Sequence, residues 1–376
     1  MLPATPALNA RFTPCAMACD PRGFELGWDH AHHGLAPPAG LLHDATPVYQ
    51  GWTAAKAVFG RRTLGCSFGV RQWLALRTLA WRQGIGFESQ QLGANYLAQL
   101  RAEHCPVLRM ALGGAPGTAS SAVIARLNPR AGYAAGHLAT LSQLAASLLA
   151  HSDVLQSLRR ARQAQAAGLA IDGLDAAAWW RLAALRSFVT PLPFFEAARV
   201  PLAVLPPNRV RLLNAVQGLQ ALVTLQFVAS GWSARVRALA QMLPEHSHRH
   251  DFYLFIGALA PRALEADAAP QALRRALEDA WLLERVQRRW QHFVLSLGEA
   301  AVGHLLDRAA AQGLAGVRTL VHAAEQATEG WDLAPLQHTR PPLADPNGRS
   351  RPHPTLRALP TRRLPPRPGA ASAFVK

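Results

Sequence analysis

Three groups of side chains in this chain of 376 residues have types and spacing that metal or proton chemistry uses. The first is Asp29-His30-Ala31-His32-His33, in which His30 and His32 would point the same way along a strand. The second is Glu245-His246-Ser247-His248-Arg249-His250-Asp251. His246 and His250 are four apart and would share a helix face, as zinc-binding pairs do, and Asp251 could join them as a third ligand. Ser247 stands where a zincin has its glutamate, which excludes an HExxH metalloprotease, and Pro244 makes the run a helix end or a loop start. The third group is the four cysteines, Cys15, Cys19, Cys66 and Cys105. Cys15 and Cys19 are spaced as a zinc pair could be, but the other two form no second close pair. Four cysteines in this length also exclude a disulfide scaffold. For both histidine runs the plainer alternative is a polar surface segment, and that is the expectation.

Cationic chemistry is better represented. Lys and Arg number 39 against 23 Asp and Glu, a net charge of +16, and only Lys56 and Lys376 are lysines. The preference for Arg and Ala follows from GC-rich coding, but the sign of the charge does not. Such a chain attracts nucleic acid or an anionic membrane at long range. Arg159, Arg160 and Arg162 form a compact cluster. Trp73, Arg77 and Trp81, at i, i+4 and i+8, share a helix face that could follow a phosphate backbone. Packing of the two tryptophans, with the Arg77 head reaching outward, is the expected use of that face.

The element that must position chemistry is the stretch Cys105–Ser147. Two apolar runs, Ser121–Leu127 and Tyr133–Ser142, flank the turn Asn128-Pro129-Arg130-Ala131-Gly132. Asn-Pro and a nearby Gly punctuate turns, so the spacing predicts a hairpin, with a helix from about Gln143. The Gly-rich loop 113–118 is not a phosphate loop, because no Lys-Ser/Thr pair follows it.

This pattern resembles the HNH endonuclease family in its phage- and plasmid-type ββα form, over about 45 residues. Cys105-Pro106 matches the lead-in, Asn128-Pro129 and Gly132-Tyr133 the turn, Gly136-His137 the Gly-Asn pair, and Leu141-Ser142 the start of the helix. The resemblance implies a ββα finger that holds a divalent metal and activates water. It also shows where this chain departs. Ala125-Arg126 stands where the family has Asp-Arg or Asp-His, His137 replaces the orienting Asn, and the ligand expected on the helix falls near Ala146. No carboxylate lies between Glu103 and Asp153, and a Mg²⁺ site wants hard oxygen ligands. The implied outcome is a degenerate finger without nuclease chemistry. His137 is then a remnant ligand at most, and a divalent metal enters only if the site is active. Arg126, Arg130, Arg159, Arg160 and Arg162 are the residues expected to touch phosphates.

The other elements read as helices. Residues 1–47 hold seven prolines and read as an irregular arm. Val48–Gly60, Phe68–Gln83, Gly93–His104, Ser152–Gly168, Asp172–Val189, Arg209–Ser230 and Ser233–Leu243 are predicted helices, with Ser152 and Asn208 as N-caps. Prolines over 190–207 suggest a subdomain boundary. Leu283, Val286, Trp290, Phe293 and Leu297 form a heptad-like seam on a predicted helix Pro270–Gly298, the longest, which could pack in a bundle or against a partner chain. Glu299–Gln312 and Val317–Thr328 complete the helical part. Residues 340–376 carry seven Arg, one Lys and one Asp among nine prolines, and read as a disordered tail beginning at about 331.

The expected fold is therefore mainly α. Its parts are an arm over 1–47, a helical region over 48–190 containing the ββα unit at 105–150, a bundle over 208–330, and the tail. The chain begins Met-Leu-Pro-Ala-Thr-Pro, without the basic region and apolar core of a signal peptide. The apolar stretch 212–228 carries a polar stripe of Asn214, Gln217, Gln220 and Thr224, which argues against a membrane span. A cytoplasmic location follows as an expectation. The functional expectation is a DNA-associated protein without nuclease activity. The alternative is a helical scaffold that binds a protein partner through the 270–298 helix. An active metal-dependent nuclease is third.

Overall fold

Asp20 opens the first helix. Its carboxylate accepts the backbone N–H groups of Arg22 (3.1 Å) and Gly23 (3.3 Å), and Pro21 follows at the first helical position. A proline there loses no helical hydrogen bond and has a φ suited to the helix. The resulting helix α1, Pro21–His32, stands within the irregular arm expected over 1–47 from the proline count, of which residues 1–19 lie outside the described residues. The computed structural model describes residues 20–115, 117–228, 230–266, 269–314 and 324–331; Cys15, Cys19 and the expected tail from 332 onward lie outside the described residues.

Helix α2, Pro47–Phe59, is capped by Thr46 and lies against α1 at close range. A Cβ on Gly51 would sit 1.9 Å from the Phe24 carbonyl oxygen, and one on Gly27 would sit 1.9 Å from that of Val48. Only glycine permits this approach at either position. Helix α3, Phe68–Gln83, begins at Ser67, whose hydroxyl accepts the Val70 N–H, and ends at left-handed Gly84. Its Trp73/Arg77/Trp81 face turns inward onto α1. Arg77 pairs with Asp29 and lies over the Trp73 ring at 4.5 Å, and the Trp81 indole donates to Asp20 at 2.6 Å.

After α4, Ala94–Gln99, the chain forms strands β1, Ala122–Arg126, and β2, Leu138–Ser142. They pair antiparallel from Ala122 opposite Ser142 to Arg126 opposite Leu138. Ser142 then caps α5, Gln143–Ala150, through the Ala145 N–H. The predicted hairpin and following helix are present. β2 begins five residues later than the apolar run suggests, because residues 133–137 form a loop.

Two helices start later than predicted. Asp153, not Ser152, caps α6, Val154–Ala167, in a capping box with Gln156, while the Ser152 hydroxyl donates back to Leu148. Helix α7, Ala176–Phe188, and the short α8, Phe194–Ala198, follow. Helix α9, Ala215–Gln226, starts six residues after the expected Arg209, which has a left-handed φ of 66°. Asn208 instead donates to the Gln99 carbonyl. The polar stripe of α9 bonds its surroundings: Gln217 reaches the Ala197 carbonyl and Gln220 that of Val200, both at 2.9 Å.

Helices α10, Trp232–Gln241, α11, His246–Glu265, α12, Pro270–Ala280, α13, Glu284–Leu297, and α14, Glu299–Ala311, precede a last single turn, α15, Ala324–Ala327. The expected single helix 270–298 breaks after Ala280, and α11 is longer than either piece. Trp281 at the break packs edge-on against Trp290 (5.2 Å) and donates to the Thr224 hydroxyl (2.9 Å). That buried contact outweighs continuation of the helix. Val286, Trp290, Phe293 and Leu297 are buried, so those four seam residues are occupied inside the molecule, while Leu283, the first of the seam, is exposed.

The chain is mainly helical, with fifteen α-helices and one two-stranded hairpin among the described residues. One buried cluster runs from Cys105, Leu127 and Leu141 through α7 and α9 to Trp290 and Leu305. The proline-bearing segment 200–205 lies inside it. No helix is long and apolar enough to cross a membrane, among the described residues.

Candidate functional site

The hairpin turn is built from its own side chains. The Asn128 amide oxygen accepts the Arg130 N–H at 3.1 Å, the local bond that makes Asn a turn residue. Arg126 donates to the carbonyls of Pro129 (3.0 Å) and Ala131 (2.5 Å), and its guanidinium sits 5.2 Å from the Tyr133 ring centre. Of the five arginines expected at phosphates, Arg126 is thus a half-buried brace for the turn. Arg130 at the turn and Arg159 and Arg162 on α6 are exposed. Arg160 pairs with Asp172 and lies over the Trp179 ring at 5.0 Å.

His137 lies just before β2, its carbonyl accepting the Leu127 N–H at 2.8 Å. Its side chain is fully buried, so the residue expected as a remnant ligand at most is closed to solvent. Trp331 covers it. The two rings are 4.6 Å apart, the Trp331 indole donates to the Ala135 carbonyl (2.9 Å), and the Trp331 carbonyl accepts the Gly132 N–H (3.0 Å). Neither imidazole nitrogen has a well-formed hydrogen bond among the described residues. Burial lowers the His137 pKa from 6.5 to about 3; the Gly132 backbone opposes the shift, and Arg126 and Arg211 reinforce it. The imidazole is therefore neutral at physiological pH. Composition places Trp331 at the start of the tail, whereas the structure makes it part of the core.

The segment ending in Trp331 is held elsewhere too. Arg211 donates to the Gln326 carbonyl (3.0 Å) and to the Gln91 amide oxygen (2.6 Å), and Gln91 donates to Glu329 (3.0 Å). Gly136, at φ 100°, lets the Arg211 side chain pass where a Cβ would sit 2.6 Å from it.

The residues present do not fit a ββα metal. Ala125 and Ala146 offer no ligand, and His137 is enclosed. Among the described residues no group of three His, Cys, Asp or Glu side chains is placed to hold a metal ion. His246, His250 and Asp251 stand in the first two turns of α11, where the sequence leaves a loop or a helix end open. His246 and His250 are exposed, and Asp251 faces His292 of α13 at 3.4 Å. In the first histidine group, His30 bonds the Leu26 carbonyl (2.8 Å) and His32 stacks on Phe59 (4.4 Å). Both lie in a helix, not a strand.

The strongest polar cluster is invisible in the sequence. Arg109 donates to Asp279 (2.7 Å) and Glu278 (3.2 Å), and Arg181 to Asp279 (3.3 Å) and the Val107 carbonyl (3.0 Å). Glu278 also accepts the Leu205 N–H at 2.9 Å, and burial raises its pKa. Arg109 adopts a φ of 58°, rare for a side-chain-bearing residue, and this network holds it there. Its partners are some 170 residues away in the chain, so no local pattern announces them. No protein-family model matches the chain, and no curated protein or solved structure matches it at a significant level.

Proposed function

We propose that this chain associates with nucleic acid through the outer arginines of its hairpin–helix unit and does not cleave it. The observation that carries the reading is the exposure of Arg130 at the turn and of Arg159 and Arg162 on α6 in a chain of net charge +16, with no ion pair to any of the three among the described residues. Exposed guanidinium groups bind phosphates by charge and hydrogen bonding and read little sequence. Arg160, tied to Asp172, contributes less. The missing carboxylates, with Ala125 and Ala146 at ligand positions and His137 sealed under Trp331, support binding without hydrolysis.

Fluorescence anisotropy with a labelled duplex across a salt series tests this. Wild-type affinity should fall steeply with salt. The Arg130→Gln/Arg159→Gln/Arg162→Gln variant should bind more weakly on every sequence, its log K–log salt slope shallower by about one for each phosphate it no longer neutralises. An unchanged slope in the variant, or no binding at low salt, rejects the reading. A plasmid nicking assay with Mg²⁺ or Mn²⁺ should show no cleavage. A helical scaffold for a protein partner is the second reading, favoured by the exposed Tyr253 and Leu254 of α11, and it predicts no salt-dependent duplex binding.

A further inference from the structure

The segment 100–109, the loop 204–208 and α12 border an open cleft of about 530 Å³, a volume within the range of small-molecule sites. Part of its wall is apolar, from Leu100, Ala139, Val204 and Leu205. Its charged lining is four arginines, Arg101, Arg109, Arg274 and Arg275, against Glu103 and Glu278. Glu278 is engaged inside the fold by the Leu205 N–H and by Arg109. Arg109 is engaged likewise by Glu278 and Asp279. The other three arginines are less fully engaged, and of them Arg274 makes an ion pair among the described residues. The Arg275 guanidinium donates one N–H to the Arg109 carbonyl at 3.4 Å, and that of Arg109 donates to the Arg275 carbonyl at 3.3 Å. Arg274 has only a 3.7 Å contact with Glu278, and Arg101, over the Phe68 ring at 5.5 Å, has no ion pair among the described residues. A guanidinium carries five N–H donors, so most donors on these three remain for a ligand.

We propose that this cleft binds a nucleotide, with its phosphate on Arg101, Arg274 and Arg275 and its base against the apolar wall. Arginine forks match phosphate oxygens two at a time, and an apolar wall suits a flat ring. The ligand is a free mononucleotide or the 5′-phosphorylated end of a strand, which share this chemistry. The inference goes beyond the duplex-binding surface and does not rest on it, since none of Arg130, Arg159 and Arg162 lines the cleft.

Titration calorimetry on the full chain with dAMP, with a 5′-phosphorylated short single strand, and with the same strand bearing a 5′-hydroxyl tests it. Binding of dAMP, or of the phosphorylated strand in preference to the hydroxyl strand, is expected, and which of the two binds identifies the source. Arg101→Gln/Arg274→Gln alters two exposed side chains and should weaken that binding by about tenfold, with the melting temperature unmoved. A second variant, Val228→Trp at the cleft, should weaken dAMP binding by occupying the space of the base. If neither dAMP nor the phosphorylated strand binds, or if both variants bind as wild type does, the proposal is overturned. The anisotropy experiment with Arg130, Arg159 and Arg162 reads the other surface, so either can fail alone.

Discussion

His137 couples the fold to pH. In the folded chain burial holds its pKa near 3, whereas the free side chain titrates at 6.5. Between those values the unfolded chain binds a proton that the folded chain does not. Stability contributed by the neutral imidazole is therefore complete above about pH 6.5 and is lost as pH falls toward 3, by up to about 1.4 kcal/mol per pH unit. Urea unfolding at a series of pH values from neutral to mildly acidic should show this decline. His137→Phe keeps a ring against Trp331 and should flatten it. His30 and His33, whose pKa values burial also lowers, leave a slope of the same sign. An undiminished slope in His137→Phe would place the acid sensitivity elsewhere. The same burial encloses the imidazole: Trp331 covers it and neither ring nitrogen makes a well-formed hydrogen bond among the described residues.

The element that does the covering is the short segment from α15 to Trp331, pinned by Arg211, Gln91 and the Gly132 N–H. Trp331→Ala removes a ring that is 3% exposed, and should cost roughly 3–5 kcal/mol if the segment stays in place. It should also raise the His137 pKa toward 6.5, measurable by NMR titration of the imidazole; an unmoved pKa would mean that Trp331 is not what dries the site. This coupling shows what kind of information local sequence carries. The Ser67 cap and Gly84 stop of α3 and the Asn-Pro turn of the hairpin act within four residues, and those elements are readable. Helix α1 escapes a proline count, because the count ignores which helical position Pro21 takes. The break at Trp281 and the late start of α9 answer to Thr224, Trp290 and Gln99, contacts made only after the chain has folded. For the site, the exposed arginines are legible as charge, but the bracing role of Arg126 and the burial of His137 depend on Tyr133 and Trp331 arriving beside them. The Arg109–Glu278–Asp279 cluster has no sequence signature at all.

On the scale of the whole molecule the question is which positive charge engages a polyanion. Residues 340–376 carry +7 of the +16, and the arginines of the hairpin and α6 belong to the remainder. If both regions contact one duplex, their contributions to the salt slope should add, because each phosphate neutralised releases its own counterions. Removing 340–376 should then lower affinity on every sequence and reduce the slope, while leaving the effect of Arg130→Gln/Arg159→Gln/Arg162→Gln in place. The comparison needs four proteins: wild type, the truncation, the triple variant and their combination, each titrated with the same duplex over the same salt range. Additive slopes assign binding to a folded surface assisted by the basic C-terminal region. A truncation that abolishes binding, combined with a triple variant indistinguishable from wild type, would assign it to residues 340–376 alone. The hairpin–helix unit would then be a structural support for the core and not a surface for nucleic acid.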